Sequence, residues 1–315
     1  MGTTLSPLQQ AGFCMYMVRM CLTVTWPLLT AQLLTDRNST PALEEIFASL
    51  KQAAKTPKAL TWMDDTEREV AAGIIGNTTL LVVSPTMTTN TKPDYTGPSE
   101  PFDQDSSKFL LTYARARSHH CNVMLRSPPT REELLIADMQ TVSRVVYLPQ
   151  AQSVLIPTLH QREPYLYASG VPDYYNYGTV GGLMATRLID ALVMADRAWN
   201  LASKTKRGKV ITCLTERHNR QGFSRKVSDD LGRQQVLMLS LSAGVRLAYA
   251  AMEAHFRERM QNNEKLIRTF WPEAQETFFA RFCLLWCSAS KAPEFGERYG
   301  CKSNSNYSAG LLCGV

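Results

Sequence analysis

The side chains able to do chemistry are few and scattered along this 315-residue chain. His119-His120-Cys121 brings together two metal-ligating types, but adjacent side chains on a helix diverge, so the two histidines read as a surface pair rather than a metal site. His160, His218 and His255 stand alone and read as ordinary surface or core residues. Glu253 and Glu264 are carboxylates with no companion ligands. What remains is Arg187 with Asp190, inside the stretch NYGTVGGLMATRLIDALVM from Asn176 to Met194. On a helix, i and i+3 share a face, so the default is a local ion pair, worth roughly a few tenths of a kcal/mol when exposed.

Eight cysteines are present, at 14, 21, 121, 213, 283, 287, 301 and 313, and none forms the CxxC pairs of a structural zinc site. Cys287, Cys301 and Cys313 lie close together in a loop-rich tail, which points to disulfides and an oxidising compartment. Glycosylation sequons at Asn38, Asn77 and Asn306 agree with an extracellular or secreted protein.

These residues must be positioned by a mainly helical frame. Hydrophobic residues at 44% and charged residues at 20% allow a packed core and exclude global disorder. The net charge of +6 is spread out, and its densest cluster, Lys204, Lys206, Arg207 and Lys209, reads as a solvated loop between helices, with no nucleic-acid partner implied. The apolar run Phe13 to Leu34 holds Arg19, Trp26-Pro27 and Gln32 and lacks a basic lead-in, so it reads as a buried helix rather than a membrane span. Helical patterns cover Thr4 to Leu34 (broken near Pro27), Ala42 to Ala54, a segment opening at Leu60 with Asp64, Asp65 and Glu67 in its first turn, and Phe109 to Arg117. Ser84 to Ser99 reads as a long loop. Val145-Val146-Tyr147 and Val154-Leu155-Ile156 flank Pro149 to Gln152 as a hairpin. From Tyr177 onward the pattern is helical, including Gln234 to His255 and Glu273 to Cys287. The fold class expected is mainly α with a small β-sheet.

Several segments then fall in a familiar order: Leu60-Thr61-Trp62-Met63-Asp64, the hairpin ending Ile156-Pro157, Asn176-Tyr177-Gly178, GVRLAY from Gly244 to Tyr249, FFARFCLLWC from Phe278 to Cys287, and Cys301 with Cys313. Together they resemble the C-terminal half of the neprilysin family of zinc metallopeptidases. The resemblance implies a thermolysin-like (gluzincin) peptidase domain over 131–315 and, over 1–130, a remnant of the family's helical cap region.

The family's chemistry needs H-E-x-x-H on a helix, two histidines binding zinc and a glutamate acting as general base. Aligned on Asn176-Tyr177-Gly178, those positions are Thr186, Arg187, Leu188, Ile189 and Asp190, and no histidine lies anywhere between Asn176 and Met194. Aligned on Gly244 to Tyr249, the third ligand and the orienting aspartate become Leu237 and Leu241, which the sequence reads as apolar core filling the old pocket. The substrate-backbone pair of the edge strand becomes Arg144 and Val145. Between Cys287 and Cys301 there is no histidine for the transition state, and Arg298 sits too close to Cys301 to match the substrate-binding arginine. The resemblance pairs Cys213 with Cys313.

The expectation is therefore a catalytically inactive homologue, without zinc, binding a peptide or protein partner. Its competitors are an active zinc metalloendopeptidase with unconventional ligands built around Asp190, and a truncated gene product with no function of its own.

Overall fold

The computed structural model describes residues 13, 16–20, 22, 26, 39–82, 109–126, 128, 134, 144–195, 198–220 and 231–287. It is mainly helical with one small three-stranded sheet. Residues 1–37, 82–144 and 157–159 group into one compact unit and residues 38–81, 145–156 and 160–315 into another.

In the first unit the principal described element is α3 (Phe109–Arg126). Helix α3 runs nine residues beyond the expected end at Arg117. His120 is buried on it, not on the surface as its sequence context indicates, and burial together with the neighbouring His119 lowers its pKa below the ordinary histidine value. The expected buried helix at 13–34 falls mostly outside the described residues. Those that are described contradict burial: Phe13, Tyr16, Val18 and Met20 are all exposed, because hydropathy favours burial without dictating it. The 84–99 loop lies outside the described residues.

The second unit opens with α1 (Ser39–Ala53), where Leu43, Ile46, Phe47 and Leu50 recur at helical spacing and all are buried. Helix α2 (Asp65–Asn77) starts five residues after Leu60, where the sequence pattern opens it, because the Asp64 side chain caps it there. Asp64 is its N-cap and accepts a hydrogen bond from the Glu67 N–H, while the Glu67 carboxylate accepts one from the Asp64 N–H, a reciprocal capping box. Burial alone would raise the Glu67 pKa, but these contacts and the Lys206 ammonium at 2.9 Å bring it below its ordinary value.

Strand β1 (Thr79–Val82) follows, an element the sequence pattern did not disclose. Strands β2 (Val146–Leu148) and β3 (Ser153–Ile156) form the expected antiparallel hairpin, with Val146 opposite Leu155, Tyr147 opposite Val154 and Leu148 opposite Ser153. The turn between them places Gln152 at φ +48°. Among the described residues the strand order is β1-β3-β2, leaving β2 on an edge.

After one helical turn at Tyr174–Asn176 and a π-helical stretch at Tyr177–Gly181 comes α4 (Gly182–Met194). Helix α5 (Leu201–Arg220) carries Lys204, Lys206, Arg207 and Lys209, so the basic cluster is helical rather than a loop. Its Lys206 bridges back to Glu67 and, at 3.7 Å, to Asp64. Helix α6 (Leu231–Arg259) runs through the middle of this unit against α1, α4 and α5. Among the described residues it alone is long and apolar enough to cross a membrane by length and composition, and half of that window is buried within the fold. Helix α7 (Glu264–Cys287) carries Pro272 inside it and starts nine residues before the expected Glu273; Asn263 caps it by accepting from the Lys265 and Leu266 N–H groups.

Candidate functional site

The path into α4 is held by side chain to backbone bonds. The Asn176 amide brackets Tyr167, accepting from its N–H and donating to its carbonyl, both at 2.8 Å. The π-helical stretch then lies directly on α7: a Cβ placed on Gly178 would sit 2.6 Å from the Phe278 carbonyl oxygen. Only glycine permits that approach.

Helix α4 next meets α6. Thr186 is buried and its hydroxyl donates to the Gly182 carbonyl one turn back, at 2.8 Å. Facing it is Gly244, where an added Cβ would lie 2.6 Å from Thr186 Cα, 2.7 Å from its nitrogen and 2.8 Å from Oγ1. One turn further along α4, Asp190 lies beside the fully buried Ser240, which is one turn earlier on α6. The two helices therefore run antiparallel, backbone nearly against backbone.

Arg187 Nη1 reaches Asp190 Oδ2 at 2.7 Å, so the expected i, i+3 ion pair forms. It is not the exposed pair expected from the sequence: the two side chains keep only 20% and 10% of their surface. Burial holds the Asp190 carboxyl above the usual carboxylate range, against the downward pull of the Arg187 guanidinium and of the Ser240 hydroxyl. Leu188 and Ile189, between the pair, are fully buried.

Leu237 and Leu241 do not fill this crossing as apolar core. Leu237 is 42% exposed and Leu241 only partly buried. The face of α6 turned to α4 is set by Ser240 and Gly244, and Leu237, one turn before Ser240, stands exposed. Ser240 is the residue the sequence reading missed; its signal was its place one turn before the glycine of GVRLAY. What the crossing offers a divalent cation is one carboxylate already paired to a guanidinium, the Thr186 hydroxyl committed to the Gly182 carbonyl, and the Ser240 hydroxyl.

Neither a protein-family model nor a curated protein matches the chain. The remaining candidate residues are dispersed. Arg144 is exposed and Val145 is buried immediately before edge strand β2. Cys213 lies on α5 and is disulfide-bonded, while Cys313, its expected partner, is outside the described residues. Asn77 ends α2 in an exposed position; Asn38, Asn306 and Arg298 are outside the described residues. Among the described residues no three His, Cys, Asp or Glu side chains cluster.

His255 is not isolated, contrary to its sequence context. Its Nε2 lies 3.0 Å from Asp173 Oδ2, and the same oxygen takes Arg259 Nη2 at 3.0 Å. The His255 hydrogen bond is the main reason the Asp173 pKa is lowered despite partial burial, with Arg259 adding to it. His160 is buried with its ring 4.3 Å from that of Tyr165, and burial lowers its pKa to about 4.

Proposed function

We propose that this chain is a catalytically silent relative of the neprilysin-type zinc metallopeptidases, built on a thermolysin-like scaffold, that works outside the cell by binding a peptide or protein. The assignment to that family rests on the ordered sequence segments. The silence rests on the α4–α6 crossing.

The single observation that carries the reading is the packing of Thr186 against Gly244. A ligand histidine at 186 would need room between the helices for an imidazole and an ion, and there the backbones already touch. Arg187, at the position of the general base, keeps its proton at any physiological pH and is engaged with Asp190. The residues at the motif positions do not fit zinc, since a catalytic site takes three converging protein ligands and leaves a fourth place for water. Among the described residues the edge strand β2 has one unpaired side, which is where an extended peptide adds to a sheet by main-chain hydrogen bonds.

The test is hydrolysis. The purified chain, incubated with a mixture of unstructured peptides, is expected to leave them intact. Cleavage that a chelator abolishes and added zinc restores would overturn the proposal.

A further inference from the structure

Away from the α4–α6 crossing, α6 and the segment before the π-helical stretch enclose a cleft of about 270 Å³. Its walls are apolar, from Tyr174, Tyr177, Met252, Phe256 and Met260, and Asp173, His255 and Arg259 gather at its polar side. An apolar recess with a few convergent polar groups is the usual form of a small-molecule site. The volume lies below the roughly 300–1,000 Å³ of pockets for drug-sized ligands, so the occupant is small.

The polar side is a dipole rather than a patch of one sign. Asp173 Oδ2 is shared by His255 and Arg259, and no hydrogen bond among the described residues engages its Oδ1. Arg259 is 61% exposed; its Nη2 binds Asp173 and its Nε lies 3.4 Å from His255 Nε2, which leaves Nη1 available to a carboxylate. A carboxylate acceptor and a guanidinium donor side by side match a ligand that carries both charges. An anion alone would meet Asp173, and a cation alone would meet Arg259. The aromatic walls are packed together: Tyr174 and Phe256 have centroids 6.3 Å apart, Phe256 rests on Trp271 at 5.3 Å, and the Tyr174 hydroxyl donates to Glu273 at 3.3 Å.

We propose that this cleft binds a free α-amino acid with an apolar or aromatic side chain. Its ammonium meets Asp173 Oδ1, its carboxylate meets Arg259, and its side chain lies against the wall formed by Tyr174, Tyr177 and Met260. The site stands whether or not the chain is a silent peptidase.

Calorimetric titration of the wild-type protein with L-phenylalanine tests it, alongside N-acetyl-phenylalanine and phenylalaninamide, which each lack one charge. L-Phenylalanine is expected to bind with a Kd of about 1 mM or tighter. Each derivative, and each of the variants Asp173→Asn and Arg259→Met, is expected to weaken binding at least about tenfold, the loss of one charge-assisted hydrogen bond. No saturable binding of L-phenylalanine would overturn the proposal. Equal binding of both derivatives would overturn it too, since the recess would then be reading the ring alone. The derivative series uses unaltered protein, so a variant that fails to fold leaves the test intact.

Discussion

Replacing Gly244 by alanine probes the helix crossing directly. The added methyl would lie 2.6–2.8 Å from Thr186 Cα, N and Oγ1, where carbon–carbon contacts are comfortable at about 3.5–4.0 Å. The shortfall is about 1 Å, and two of the three atoms are backbone, so no side-chain rotation relieves it. Overpacking of this kind costs about 1–3 kcal/mol, and a contact against helix backbone belongs near 3. Alanine in place of a helical glycine returns about 1 kcal/mol of helix propensity. The net expectation is a loss of about 2 kcal/mol. Gly208 on α5 supplies the control, because a Cβ there meets nothing within 4 Å. Gly208→Ala is therefore expected to stabilise by up to about 1 kcal/mol. Urea denaturation of both variants reads the two signs. A Gly244→Ala protein as stable as the wild type would mean that α4 and α6 do not touch at Thr186, and the argument that the crossing has no room for a ligand would fail with it.

Three further outcomes follow from the same packing. His160 has a folded pKa of about 4 against about 6.5 unfolded, so between those values the unfolded chain binds more protons and stability rises with pH. That contribution, about 3 kcal/mol, is complete above about pH 6.5 and is lost as pH falls through about 4; denaturant titrations of His160→Leu should show a correspondingly flatter acid limb. Asp190→Asn leaves the largely buried Arg187 without its counter-charge and should cost about 3 kcal/mol, whereas Arg187→Met with Asp190→Leu together should cost much less; a double-mutant cycle with no coupling would remove the ion pair from the account. Asp64→Ala breaks the α2 capping box and should cost about 1 kcal/mol by thermal unfolding, with no loss expected if Asp64 is merely a solvated acid.

What the sequence made legible was local. The hairpin around Pro149 to Gln152 is written in adjacent residues and occurs where the pattern puts it, and the acidic residues read as a helix start do start one, with Asp64 as its cap rather than in its first turn. Elements whose identity depends on distant partners were not legible. Strand β1 is four residues long and is fixed by contacts such as the Thr79 N–H to the Gln152 carbonyl, 73 positions away as the difference of those numbers. The first turns of α7 were hidden by Pro272, which a helix tolerates when its cap and packing hold it. At the candidate site, the absence of histidine from 176–194 was plain in the sequence, and the Arg187–Asp190 pair followed from helix spacing. Its depth did not, because burial of that pair is decided by Ser240 and Gly244 on another helix. The Asp173–His255–Arg259 cluster joins residues 82 positions apart that no motif links.

We propose, centrally, that the α4–α6 crossing binds no metal, its space being taken by backbone packing and an internal ion pair. Zinc content of the purified protein, measured by elemental mass spectrometry after exposure to excess zinc and exhaustive dialysis, tests this most directly. The account predicts only trace, non-stoichiometric zinc, unchanged by Asp190→Asn. Retention of one zinc ion per chain, lost in Asp190→Asn, would contradict it.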